Sequence, residues 1–390
     1  MDVARVRADT PAVESIAFFN SAGSSLAPTP VLDSMIRHLR LEANVGGYEA
    51  AAEAADDVDR VYEVGAQLLS CNRSELAFTN SASDSWWRAF QTVPFEAGDR
   101  VLVGHSEYVT GGLALIQLGD LGVEVELIPD DEYGQVSVEA LADALDERVR
   151  LVALTHIPTS GGLVNPAAEV GYLAKEAGAY YLLDACQAAG QIPLDVTDLR
   201  CDFLCLTGRK FLRGPRGTGL LYVNAEVMDE LEHPTFIDGR GADWTSPWEY
   251  RLQPGAQRYE LFEHGCAGKI GLGVAIGYAL DLGLDSIADR VFSLAAYIRS
   301  GLAAIAGVDV VDQGIDKCGI VTFTLAGRDS AAVSGELRSL GVHTSAIGAH
   351  SAQFDLGMRG VESVIRASAH YFNDDADIDQ LLEQVASLAR

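Results

Sequence analysis

Between residues 76 and 223 the chain repeats one pattern, a short apolar run followed by a stretch long enough for a helix. The runs fall at 76–79, 100–103, 123–128, 151–155, 180–184, 203–207 and 219–223. Strands of that length, separated by helices, specify a mostly parallel seven-stranded sheet covered on both faces, an α/β fold. Ligands of such sheets sit beyond the carboxyl ends of the strands. The residues that close each run are therefore where chemistry is expected.

The flanking segments divide the chain. Residues 1–16 read as a polar arm, and 16–20 as a strand that opens into the loop 21–28. Residues 31–43 and 50–70 carry helical spacing, with Gly46 and Gly47 between them. Residues 234–262 mix prolines, glycines and aromatics without periodicity, which suggests an ordered excursion over the site. Residues 270–305 read as one or two helices. From about 308, a strand-like 319–325 and a final helix 375–389 indicate a smaller α+β domain. The expected organisation is an arm (1–16), a large domain (17–268), connecting helices (269–307) and a small C-terminal domain (308–390). A chain of 390 residues is long for one core, which agrees with two domains.

Charge removes whole classes of partner. The net charge of −28 repels nucleic-acid phosphates and anionic membranes, so neither is expected to bind. No apolar stretch approaches the ~18 residues of a membrane helix. The first twenty residues carry acids and no apolar core, so no signal peptide is expected and the default location is the cytoplasm. Six cysteines, at 71, 186, 201, 205, 266 and 318, form no CxxC pair, so neither a zinc site nor a disulfide framework is expected.

Two strand ends carry the chemistry. Of the 28 basic residues only four are lysines, and Lys210 follows the apolar run 203–207 and precedes a glycine-rich stretch. An ammonium there costs free energy unless the site uses it, and an amine that can be neutral is a nucleophile toward aldehydes. Asp184 closes the run 180–184. A lysine and an aspartate at neighbouring strand ends are the two contacts that pyridoxal phosphate most needs. The segment Ala77-Phe-Thr-Asn-Ser-Ala-Ser-Asp84 leads from a strand into a helix through small residues, which suits either a phosphate loop or an ordinary helix cap. The glycines of 214–219 lack the helix-opening spacing of a dinucleotide fingerprint and read as a tight turn.

Thr207-Gly-Arg-Lys210 with Gly214-Pro-Arg-Gly-Thr-Gly219, preceded by Asp184-Ala-Cys-Gln187, resembles the class V aminotransferases, which are fold-type I pyridoxal-phosphate enzymes. The likeness runs from the Asn20 loop to Arg366-Ala-Ser-Ala-His-Tyr-Phe-Asn373. It implies that Lys210 forms the Schiff base and shuttles protons at Cα, while Asp184 keeps the pyridine nitrogen protonated. Gln187 and Thr159 would bond the ring oxygen, Thr159 standing where many relatives have asparagine. Ala82, Ser83, Thr207 and Arg209 would hold the phosphate, Arg209 in place of the usual histidine. Tyr108 would stack on the ring, where the family commonly uses histidine. Arg366 would fork the substrate α-carboxylate beside Asn20 and Ala22, and Tyr48 would line the pocket. Cys266 matches a threonine that reaches the phosphate of a neighbouring subunit, which implies a homodimer with shared sites.

The same likeness sets an expected reaction. Desulfurases use a mobile cysteine in the C-terminal domain, but no cysteine follows Cys318 and Ser351 falls at the corresponding loop. Cysteine desulfurase activity is therefore expected to be absent. Segments 42–50, Glu107-Tyr108 and 366–373 resemble hercynylcysteine sulfoxide lyases. The expected reaction is then β-elimination from an S-substituted cysteine or its sulfoxide to pyruvate and ammonia. Epimerisation of the isopenicillin N epimerase kind, or transamination, is the alternative.

Overall fold

The computed structural model describes residues 1–390. After a two-residue strand β1 (Ala17–Phe18), seven strands build the large sheet. They are β2 (Leu76–Thr79), β3 (Arg100–Val103), β4 (Glu124–Leu127), β5 (Val149–Thr155), β6 (Tyr180–Asp184), β7 (Phe203–Thr207) and β8 (Gly219–Val223). Their spatial order is β2-β8-β7-β6-β5-β3-β4. Neighbours pair in parallel from β4 through β7, and only β8 runs against both of its neighbours. Central strands β5 to β8 are almost wholly buried, as expected of a sheet sandwiched between helices.

The helices used below are α1 (Thr29–Val45), α2 (Ala55–Leu69), α3 (Ala82–Phe90), α4 (Val109–Leu118), α5 (Cys266–Leu282), α6 (Leu284–Ala303) and α7 (Asp375–Leu388). α5 is apolar on nearly every face because it is enclosed, lying against both α1 and α2. The stretch 234–262 carries a two-stranded hairpin, β9 (Ala242–Ser246) with β10 (Glu249–Leu252). Its residues Trp244 and Trp248 are 82 % and 96 % exposed.

A second sheet forms the small domain from β11 (Val308–Val310), β12 (Ile320–Leu325), β14 (Ser345–Gly348) and β15 (Ser363–Ser368), in the order β11-β12-β15-β14; the two-residue strand β13 (Val342–His343) lies outside it. The arrangement differs from the sequence reading at one boundary. β1, placed there with the large domain, pairs in parallel with β13. Ala17 and Phe19 are buried in one core with α6, β12, β15 and α7. The physical reason is that a two-residue strand has no register of its own and takes whichever apolar edge is nearest. The long connecting segment likewise divides: α5 packs on the large domain, whereas α6 packs on α7 and the small sheet.

Candidate active site

β5, β6 and β7 end side by side, with Thr155 opposite Asp184 and Asp184 opposite Cys205. The loops leaving these ends, with the start of α3 and of α4, enclose one cavity. Ser81, Ala82, Ser83, Glu107, Tyr108, Thr159, Asp184, Cys186, Gln187, Thr207, Arg209 and Lys210 all line it. Nine residues chosen from sequence thus share one wall.

The lysine loop is held from below. Gly214 N–H bonds Gly208 O at 2.7 Å and Gly208 N–H bonds Thr218 O at 3.1 Å, closing the loop, and Thr218 Oγ1 donates to Pro215 O at 2.7 Å within the turn expected at 214–219. Arg213 adopts a left-handed φ of 61° and is fully buried. Its guanidinium donates to Leu26 O (2.8 Å) and Thr10 Oγ1 (2.6 Å) and lies over Tyr371 and Phe372. Gly190, at φ +89°, lies so close beneath that a Cβ there would stand 2.5 Å from the Phe211 carbonyl carbon. Protein packs densely round Lys210, although part of its surface faces the cavity. Burial lowers the pKa of its amine, Arg209 and Arg366 add to this, and Cys186 and Asp184 oppose it.

At the other end of the cavity, Ser81 caps α3 by accepting from Asp84 N–H at 3.1 Å. The segment is therefore a helix cap, and the next residues, Ala82 and Ser83, present the helix start to the cavity. A helix N-terminus offers unpaired N–H donors and a positive dipole end to an anion. Thr207 and Arg209 approach from β7, and the Arg209 guanidinium also donates to Gly23 O. Backbone N–H groups, a hydroxyl and a guanidinium on one side of the cavity suit an anion such as a phosphate. Gln187 supports a bound ring in a second way. Its Nε2 donates to Ala22 O (3.2 Å) and Thr159 Oγ1 (3.5 Å), while its buried Oε1 has no partner.

Arg366, on β15, brings the small domain to the rim. It is 2 % exposed, and its Nη1 donates to Thr159 Oγ1 at 2.7 Å and Thr159 O at 3.1 Å. Nη2 reaches Asn20 Oδ1 at 3.3 Å, and Ala22 N–H donates to Ser368 Oγ at 2.9 Å. Burial, with Arg209 adding to it, lowers the Arg366 pKa to about 10. A desolvated guanidinium with an unpartnered Nε is primed for a carboxylate.

Two residues do not join the cavity. Tyr48 is 77 % exposed, and Cys266 begins α5; both line a separate groove with Phe262 and His264. One functional residue was missed from sequence. Glu107 is buried against the cavity, and burial, with Asp184 adding to it, raises its carboxyl pKa to about 8. Tyr108 caps α4 beside it and is part-exposed. The pair Glu107-Tyr108 was read as a stacking segment; only the fold shows that the acid of the pair faces Asp184.

An aldehyde-reactive lysine, a strand-end aspartate and a helix start open to an anion, on this sheet, define a fold-type I pyridoxal-phosphate enzyme. Residues 17–381 match the family described as "Aminotransferase class-V", and the chain belongs to that family. Its cofactor is pyridoxal phosphate. A probable cysteine desulfurase of Methanothermobacter thermautotrophicus is 29 % identical over 98 % of this chain and 97 % of its own length. The apo structure of a cysteine desulfurase from Thermococcus onnurineus superposes with a TM-score of 0.92 at 26 % identity, covering 99 % of this chain and 98 % of that one. A C-DES mutant with glycine covalently linked to its pyridoxal-phosphate cofactor shares the fold, at TM-score 0.87 and 20 % identity, covering 97 % of this chain and 98 % of that one.

These likenesses correct the expected reaction. Proteins similar along the whole chain are cysteine desulfurases, which overturns the expectation that this activity is absent. The reading as a β-eliminating lyase of substituted cysteines is left with weak support. One missing thiol in one loop was given more weight than the rest of the chain.

Proposed function

We propose that this enzyme removes sulfur from free cysteine, leaving alanine. The observation that carries an amino-acid substrate is Arg366, buried and bonded to Thr159 at the rim of the cavity that holds Lys210 and Asp184. Full-length likeness to desulfurases supports the choice of cysteine. When bound, the cofactor supplies an electron sink for the substrate's α-carbon. The residues do the rest. Asp184 would keep the ring nitrogen protonated, and α3, Thr207 and Arg209 would hold the phosphate. Tyr108, Gln187 and Thr159 would hold the ring, and Arg366 with Asn20 would orient the carboxylate. Lys210, its amine biased toward neutrality by burial, moves protons at the α-carbon.

The sulfur needs a thiol to take it. Cys318 is fully buried and no cysteine follows it. Ser351, in the turn before Asp355, donates its hydroxyl to Gly348 O at 2.9 Å. Cys186, the thiol that lines the cavity, is buried and hydrogen-bonded to Cys205 in the sheet below. The acceptor in this proposal is a thiol from solution: the cysteine C–S bond breaks, an S–S bond forms, and the electron pair left on Cβ takes the proton. One cysteine and one thiol give alanine and one persulfide. We further propose that the enzyme works in the cytoplasm as a homodimer, an assembly supported by the exposed aromatics of the hairpin and of the Tyr48 groove.

The test is to incubate the cofactor-loaded protein with cysteine and dithiothreitol, assaying alanine, sulfide and pyruvate beside Lys210→Ala. Equal alanine and sulfide, both absent in the variant, support the proposal. Pyruvate in place of alanine, or no lysine-dependent product, overturns it.

A further inference from the structure

Away from the cavity, α1 and the start of α5 place three metal-ligating groups together. His38 and Glu42 lie one turn apart on one face of α1, and Cys266 is the first residue of α5 packed beside it. A ring nitrogen of His38, a carboxylate oxygen of Glu42 and Sγ of Cys266 all fall within 4.8 Å of one another. His38 is 3 % exposed, and neither of its ring nitrogens has a hydrogen-bond partner. Glu42 Oε1 stands 3.1 Å from Nε2, close enough to pair but outside hydrogen-bond geometry. A buried imidazole without a hydrogen bond is left unsatisfied, and a ligand at this point would satisfy it.

We propose that His38, Glu42 and Cys266 bind one divalent thiophilic cation of the zinc type. Nitrogen, oxygen and sulfur donors together suit zinc, whose bonds of roughly 2.0–2.3 Å set tetrahedral ligand separations near 3.3–3.8 Å. The His38–Glu42 pair, at 3.1 Å, opens slightly and Cys266 Sγ closes in from within 4.8 Å to reach that spacing. Glu42 and Cys266 also line the groove of Tyr48, Phe262 and His264, from which water or a small ligand can complete the shell. Lys269, which lines the same groove, is engaged elsewhere: its Nζ donates to Tyr62 OH at 2.6 Å over the Tyr62 ring. The spacing of the cysteines hid this site, because its ligands come from helices more than two hundred residues apart in sequence. It also gives Cys266 a role of its own, since sulfur is a poorer partner for a phosphate than the hydroxyl of a threonine and a better one for zinc.

The cofactor-loaded, full-length protein is stripped with a chelator, titrated with zinc or cobalt, and analysed for metal after desalting. The expected result is one ion per chain, with cobalt giving the visible bands of a four-coordinate thiolate site. Cys266→Ser and His38→Ala each weaken zinc binding by about a hundredfold or more. The serine variant keeps a hydroxyl for any phosphate contact and loses only the sulfur, so it separates the two roles without relying on turnover. Zinc failing to bind, or binding equally well in both variants while they keep the yellow cofactor colour, overturns the proposal and assigns any residual metal to the other thiols.

Discussion

At the residue scale the site is a contest between burial and charge. Arg366 is desolvated, so its worth lies in the two parallel bonds that a planar fork makes to a carboxylate. Arg366→Lys keeps the charge and loses the fork. It should raise KM for cysteine about ten- to a hundredfold, the equivalent of a charge-assisted hydrogen bond of roughly 1.5–3 kcal/mol, with a smaller change in kcat. Steady-state kinetics check this, and an unchanged KM would remove Arg366 from the substrate. Glu107 gives a pH-dependent prediction. Its carboxyl has an ordinary pKa near 4.5 and is raised to about 8 in the fold. The native state therefore binds that proton more tightly; the stabilisation is complete below about pH 4.5 and is lost as the pH rises through about 8. Glu107→Gln in the apo protein should flatten the fall in stability between about pH 4.5 and pH 8 by a few kcal/mol, read by urea unfolding at each pH. Identical slopes for the two proteins would refute it. Lys210 and Asp184 were legible in the sequence because each closes an apolar run. Glu107 was not, because the acidity of a carboxyl is set by β5 and β6 packing around it, which no local pattern records.

At the scale of elements, the strands of the large sheet were legible almost residue for residue, since burial on both faces leaves an unbroken apolar run. The short strand β1 was read too long and in the wrong domain, because its partner β13 lies more than three hundred residues later in the chain. The element that matters most for chemistry is the loop after β7. Its shape depends on Gly190, which approaches the Phe211 backbone at a φ that side chains avoid. Gly190→Ala meets both a strained backbone and a carbonyl carbon 2.5 Å from the new methyl, so it should destabilise the protein by about 2–4 kcal/mol. Because the displaced segment is the one that carries Lys210, cofactor occupancy should fall with it. Urea denaturation and absorbance of the bound cofactor measure the two effects separately. A variant with full cofactor and native stability would show that the loop takes its shape from Arg213 alone.

For the whole molecule, two large-scale features pull against each other. The chain carries a net charge of −28, so two copies repel at long range. Yet Trp244 and Trp248 on the β9–β10 hairpin, with Tyr48 and Phe262 on the groove beside α1, offer aromatic surface to solvent. Tyr48 and Cys266 were placed at the active site by resemblance, and within one chain they lie outside it. Burying those rings would favour association by about 25 cal/mol per Å² of apolar surface, while the charge opposes it. Salt distinguishes the two contributions. Raising ionic strength from about 0.01 M to about 0.15 M shortens the screening length from roughly 30 to 8 Å, which weakens the repulsion and leaves the apolar contribution in place. Self-association should therefore tighten with salt, measured by sedimentation velocity over a dilution series. Trp244→Ser with Trp248→Ser should shift the protein toward monomer at every salt concentration while leaving the cofactor bound. Association that weakens as salt is added would instead place ion pairs, not aromatic rings, at the contact between copies.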